Sequence, residues 1–505
     1  MGAGTVLIAA AVALAVLVVQ GGAGATPTIP RSALRLSIGA APVSRPVPGG
    51  FVGFSVEYPS MITYAGRDPA ALDPVFLALV RDLTPGQSPV LRFGGDTTDW
   101  SWWTTPGVAK PGGIRYIVGP RWAAVTAATA RTLGARLILG INFESDRAAI
   151  AATEASALVR AIGLRFIAGL ELGNEPEVYG SLGWYSTPSR TPVLGRAPSY
   201  DFRSFLPDYR AVSSALPGDV PLAGPASGAA AWLSGLGQFL ASAPRVRVVT
   251  FHRYPLHRCF TPRSSPDFPS VTNLLAPVAA SGPATSLQAA VRVAHAHGLA
   301  FRADELNSVS CGGARGVSDT FASALWVLDT LLHMAAVGVD GVNIHTFKKA
   351  VYEPFAFAHA GGRWQAEVKP LYYGLLMFTR AAPPGSRLVA TTVAPVAGLR
   401  TWATRAPDGS FRLLLINESR RRALIIAARP ASPARAATVI RLRAPGLRAT
   451  RGVTLGGQSF ATPTTTGRLA GAPRPVSLIP IRGRYVVRVP AASATLLTLA
   501  GGAAR

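Results

Sequence analysis

From Phe51 to about Thr346 the chain repeats one rhythm: a short apolar strand, a polar or glycine-rich loop, then a longer stretch with helical apolar spacing. Eight strands follow from it: Val52 to Glu57, Val90 to Gly94, Leu137 to Asn142, Ile167 to Gly173, Pro221 to Gly224, Val248 to His252, Phe301 to Asp304 and Gly341 to His345. Helical spacing fills the intervals, as in Ala70 to Asp82, Trp122 to Leu133, Ala148 to Ile162, Leu287 to His297 and Asp319 to Val337. Eight strand-and-helix units over roughly 300 residues predict an α/β fold, a (β/α)8 TIM barrel spanning residues 49–375.

After about Leu376 the pattern becomes short alternating strands with turn signals, which predicts a C-terminal all-β sandwich domain over 376–505. Its clearest hairpin is Leu399 to Thr404, the turn Pro407-Asp408-Gly409, and Phe411 to Ile416; Ala427 to Pro433 reads as a Pro/Ala-rich loop. In the segment 26–48, Ala33 to Ile38 alternate as a strand that is expected to join the β-domain, making that domain discontinuous.

Residues 1–25 hold an apolar stretch, Val6 to Val19, and small residues ending in Ala23-Gly24-Ala25, the pattern of a cleaved signal peptide. A secreted or extracytoplasmic protein with no stable membrane span is expected. The usual positive start is missing, so a retained anchor stays open as the alternative. In an exported chain the two cysteines, Cys259 and Cys311, are expected to be bridged. The seven histidines show no metal spacing except His252 and His257, interrupted by Pro255, so neither metal nor other cofactor is expected.

The formal charge is +25, yet only four lysines occur, at 110, 348, 349 and 369, so nearly all of it is arginine. Arginine spread along a chain is what a GC-rich coding sequence produces, and the charge is read as compositional, with a polyanion-binding accessory role as the alternative. No reader motif or basic run interleaved with aromatics appears, and no nucleic-acid partner is expected.

The chemistry of a barrel sits at the C-terminal ends of its strands. Glu175 follows strand four in Leu172-Gly173-Asn174-Glu175-Pro176, and Glu305 follows strand seven in Arg302-Ala303-Asp304-Glu305-Leu306-Asn307-Ser308. Strands four and seven face each other, so two carboxylates meet there, as double-displacement cleavage of a glycoside requires.

With Phe51-Val52-Gly53-Phe54-Ser55-Val56-Glu57, Leu91-Arg92-Phe93-Gly94-Gly95-Asp96-Thr97-Thr98-Asp99, Gly173-Asn174-Glu175-Pro176, His252-Arg253-Tyr254-Pro255 and Asn307-Ser308-Val309-Ser310-Cys311-Gly312-Gly313, the mature chain resembles the glycoside hydrolases of clan A, and within them family 79. The resemblance implies a retaining hydrolase with a carbohydrate substrate containing uronic acid, acting as an exo-β-glucuronidase. An endo-acting heparanase-like enzyme, another clan A glycosidase such as an arabinofuranosidase, and a catalytically silent glycan-binding surface protein are the alternatives. It implies that Glu175 is the acid/base, Glu305 the nucleophile, and Asn174 a partner of the sugar 2-hydroxyl.

By the same likeness Tyr254 and Tyr352 recognise a uronate. Asp96, His252 and His345 are expected to bind hydroxyls; Trp102 and Trp103 could stack on a sugar but are read first as core, and Lys348 and Lys349 could meet a carboxylate or sulfate but are read first as solvated loop residues. Arg92 is expected to favour an ionised Glu305, since alternation turns Arg302 away unless the strand bulges. Glu353, beside Tyr352, sits awkwardly for an anionic substrate.

Overall fold

The computed structural model describes residues 28–432 and 435–500; the expected signal at 1–25 lies outside the described residues. All eight expected barrel strands form: Val52–Val56, Val90–Phe93, Arg136–Ile141, Ile167–Leu172, Leu222–Ser227, Val246–Arg253, Ala300–Leu306 and Gly341–Thr346. Each pairs in parallel with its sequence neighbours, and the eighth closes on the first. Strand one is buried along its whole length because helices cover its outside and side chains fill its inside, which is why it reads as a continuous apolar run rather than an alternating one.

The helices are bounded by recognisable chemistry. Asp73 caps Pro74–Leu83 by accepting from the Val75 and Phe76 amides, and Gly134, in the left-handed region at φ 62°, ends Pro120–Leu133. Helix Pro277–Ala296 begins well before the expected Leu287 and carries Pro283 in its interior. Proline there deprives the Ala279 carbonyl, four residues back, of its donor. Trp326 Nε1 supplies one at 2.9 Å from the neighbouring helix.

That neighbour, Phe321–Val337, is buried almost all round, and with Pro370–Ala381 it separates the barrel from the second domain. Pro370–Ala381 completes the helical layer, and strands resume at Arg387.

The second domain is a ten-stranded, mostly antiparallel sheet. The strand Leu34–Pro42 lies inside it, antiparallel to Arg387–Val393 and parallel to Leu424–Arg429. Residues 427–429, read from sequence as loop, belong to that last strand, because Ile426 and Ala428 pack into the domain's core. Along Phe411–Asn417 alternate residues serve two cores: Phe411, Leu413 and Leu415 face the domain's own, while Leu414 and Ile416 join the barrel's helical layer. Strands far apart in sheet order, Tyr485–Val489 and Phe411–Asn417, approach each other, so the sheet curls over its core. Among the described residues no helix is long and apolar enough to cross a membrane.

Candidate active site

Barrel strand seven carries the decisive irregularity. Between Thr250 and His252 of strand six it spends three steps, Arg302 to Glu305, and it does the same against strand eight, where Ala303 and Leu306 face Val342 and Ile344. One extra residue is a β-bulge. It turns two consecutive acids, Asp304 and Glu305, into the barrel, where strict alternation allows only one. Arg302 also points inward, but at the opposite end, bonding Asn343 and the Gly50 and Phe51 carbonyls.

Arg92, fully buried on strand two, is the hub. Its Nε donates to Glu171 Oε2 at 2.6 Å and lies 3.1 Å from Asp304 Oδ2. Nη1 donates to Glu305 Oε2 at 2.6 Å and to Ser55 Oγ at 3.0 Å, and Nη2 to Asn174 Oδ1 at 2.9 Å. Gly94 is obligatory beside it, since a Cβ there would stand 2.8 Å from the guanidinium carbon.

Burial alone would raise the Glu305 carboxyl. The charges of His345, His252 and Arg92, with the Tyr254 hydroxyl, outweigh it and hold Glu305 well below the usual carboxylate range. Tyr254 donates to Glu305 Oε1 at 2.8 Å, so its hydroxyl serves a carboxylate of the protein. Tyr352 packs beside Tyr254 with ring centres 6.4 Å apart. Burial works against His345 as well, but Glu305 and Glu57 raise its ring above its ordinary value. Burial, then the charge of Glu171, pushes Asp304 far up, while Arg92 keeps Glu171 low despite its burial. The two carboxyls are thus driven in opposite directions beside one guanidinium, at 2.6 and 3.1 Å from Arg92 Nε.

Glu175 stands across the mouth, in the left-handed region at φ 50°, its amide donating to the Ala226 carbonyl at 2.8 Å. His252 Nδ1 lies 3.0 Å from its Oε1. One ligating atom each from Glu175, His252 and Glu305 lie within 4.8 Å of one another. Such a trio could hold a cation, but Arg92 already places a fixed positive charge on Glu305. Glu175 is 30% exposed and Glu305 8% by side chain, so solvent reaches the former more freely.

Asn174 is held by Arg92 and, through its amide, by Asp99 Oδ2 at 2.9 Å, leaving its Nδ2 without a protein partner among the described residues. The Asp96 residue is solvent-exposed at the mouth, but protein crowded around its carboxyl, then the charges of Glu57, Glu175 and Glu305, push it up to about 8. Of the other candidates, His345 bonds Ser55 and lies 3.5 Å from Glu57, and Trp102 is buried in a small satellite core. Lys348 and Lys349 are exposed beyond strand eight. Glu353 is held by Lys369 at 2.7 Å, which neutralises its charge. The expected Cys259–Cys311 disulfide is present and ties the loop after strand six to that after strand seven.

Glu171 is not singled out by the sequence, and Ser55, Glu57, Asp99 and Asp304 stand there only within motif segments, with no role of their own. Asp99 joins two loops by accepting from the Phe143, Glu144 and Asn174 amides and the Tyr179 hydroxyl. The available signal was a charged residue inside an apolar strand, Arg92 and Glu171, since burial of one such charge requires the other.

No protein-family model matches the chain, and no curated protein does. Solved structures do. A 4-O-α-L-rhamnosyl-β-D-glucuronidase from Fusarium oxysporum matches with a TM-score of 0.70 at 20% identity, over 92% of this chain and 100% of its own. A family 51 arabinofuranosidase from Xanthomonas axonopodis pv. citri matches at 0.65 and 14%, over 92% and 99%. A Paenibacillus polymyxa xyloglucanase of glycoside hydrolase family 44 matches at 0.59 and 11%, over 93% and 100%. At these identities the likeness is one of fold: the chain shares with these glycoside hydrolases a closed parallel barrel joined to a β-sheet domain.

Proposed function

We propose that the protein is a retaining glycoside hydrolase of the family 79 kind, releasing β-linked glucuronic acid, with Glu305 as nucleophile and Glu175 as acid/base. The observation that carries the reading is the approach of one oxygen of each carboxylate to within 4.8 Å of the other across the barrel mouth. Double displacement needs about 5 to 5.5 Å between carboxyls, whereas inversion needs a water's room and about 6.5 to 9.5 Å.

In the first step Glu305, kept ionised by Arg92, His345 and Tyr254, attacks the anomeric carbon as its bond to the leaving oxygen breaks. Glu175 gives its proton to that oxygen, and the aglycone departs. In the second, Glu175 takes a proton from water as the water displaces Glu305. The partnerless Nδ2 of Asn174 suits it to donate to the sugar 2-hydroxyl.

The glucuronate part of the reading draws on the sequence resemblance, on the rhamnosyl-glucuronidase whose fold this chain shares, and on the pairing of Glu353 with Lys369, which removes a charge hostile to an anionic substrate. Incubation with aryl β-glycosides of glucuronic acid, glucose and galactose and an aryl α-L-arabinofuranoside, alongside Glu305→Gln, tests both parts. Preference for another sugar overturns the glucuronate; undiminished turnover by the variant overturns the nucleophile.

A further inference from the structure

From Ser419 to the end of the chain there is no aspartate, glutamate or lysine, but there are fifteen arginines. Across the whole chain, by contrast, 25 acids partly offset 50 basic residues. Strand register brings part of this charge to one end of the sheet. Arg441 and Arg443 face Thr495 and Ser493; Ser493 also faces Asn417, the last residue before the loop holding Arg421 and Arg422. Asn417 Nδ2 ties that loop down by donating to the Arg422 carbonyl at 2.8 Å and to that of Pro490 at 2.9 Å. Arg488, one residue before Val489, accepts at its carbonyl from Arg441 Nη2, and the Arg474 amide donates to the Gly456 carbonyl, whose own amide donates to Arg441.

We infer that this end of the β-domain is a docking surface for an acidic polysaccharide, gripped by Arg421, Arg422, Arg441, Arg443, Arg474 and Arg488. All six are exposed except Arg441, which is half-buried. The last acid in the sequence, Glu418, is spent on Arg400 at 3.1 Å in the seam with the barrel. Burial, then the like charges of Arg443 and Arg488, bear on Arg441, a repulsion that a bound anion relieves. Guanidinium forks match the two oxygens of a carboxylate or sulfate, and repeated acidic sugars repeat that match along a chain.

Nucleic acid fits less well. The only aromatic residues after Ser419 are Phe460 and Tyr485, both buried, so no ring stands ready to stack on a base. Among the described residues from Arg387 onward there are strands and loops but no helix to enter a groove. The choice of a polysaccharide rests on the proposed glycosidase reading, and the surface would hold the enzyme on the kind of polymer its barrel trims.

The test uses the full chain and four immobilised probes: heparin, polygalacturonate, neutral dextran and double-stranded DNA. Heparin and polygalacturonate should retain the protein and dextran should not, with affinity falling at least about tenfold between roughly 50 and 200 mM salt. R421E/R422E/R443E/R488E should lose at least about tenfold in affinity, and the corresponding four Arg→Lys changes should keep most of it. The control R131E/R160E/R210E/R292E changes the net charge equally on exposed barrel positions and should bind like the parent. Equal loss in both Glu sets, or no loss in the first, overturns the surface; tighter binding of DNA than of either polysaccharide overturns the partner. Turnover of a small aryl glycoside by the R421E set should match the parent, so a failed glycosidase reading shows itself separately, as no turnover by either protein.

Discussion

Arg92 Nη1 and Glu305 Oε2 lie 2.6 Å apart, and the guanidinium is wholly sealed from solvent. Replacing Arg92 by Met leaves a buried carboxylate with weaker compensation, and should cost about 3 to 5 kcal/mol of stability in thermal or denaturant unfolding. Its kinetic signature has a definite sign. Glu305 is held low, and losing Arg92 raises it, so the acidic limb of kcat/KM for an aryl glycoside should move to higher pH.

The same depression links Glu305 to acid stability. A carboxyl lowered by folding adds stability that is fully present above its unfolded value, about 4.3, and lost as pH falls towards the folded value. Parent protein should therefore lose more stability than Glu305→Gln as pH drops below about 4, as read by chemical denaturation across that range. Parallel curves for the two proteins contradict this.

On the proposed roles, Glu175→Gln separates proton donation from nucleophilic attack. With a poor leaving group kcat should fall by about 10² to 10⁴, while a dinitrophenyl glycoside, which needs no proton, should still load Glu305. Azide should then restore turnover by attacking the loaded enzyme. Equal losses on both substrates would remove Glu175 from the acid role.

Tyr254→Phe deletes the hydroxyl at 2.8 Å from Glu305 Oε1 and nothing else. A hydrogen bond to a charged group contributes about 1.5 to 3 kcal/mol, so turnover should fall by roughly 10- to 100-fold as Glu305 loses that support. An altered KM for glucuronide with kcat unchanged would instead assign the hydroxyl to the substrate.

Glu171 and Asp304 both stand against Arg92 Nε, at 2.6 and 3.1 Å, so either can supply a negative charge there. Asp304→Asn and Glu171→Gln should each be mild, and the double variant worse than their combined effect by about 1 to 3 kcal/mol in a double-mutant cycle. Additive behaviour would mean that both carboxyls are ionised.

Much of the barrel was legible in the sequence because strands buried on both faces and helices buried on one leave periodic apolar patterns that need no knowledge of distant residues. Glu175 and Glu305 were legible for a related reason: barrel geometry puts strand ends at one mouth, so linear position alone brings the two together. The helix around Pro283 was not, because its relief comes from Trp326, 47 residues away in another element. Nor was the inward turn of Asp304 beside Glu305, since a bulge exists only relative to the strands that flank it.

The arginine pattern stands between these cases. Its excess is written in the C-terminal sequence, but sheet register, with long-range pairings such as Arg443 with Ser493, is what draws it to one surface. The sequence by itself determined the two-domain architecture and the two opposed glutamates, through local periodicity and strand order. Only the tertiary structure decided the buried circuit of Arg92, Glu171, Asp304 and Glu305, because charges can share a dry interior only when packing brings compensating groups within a few ångströms.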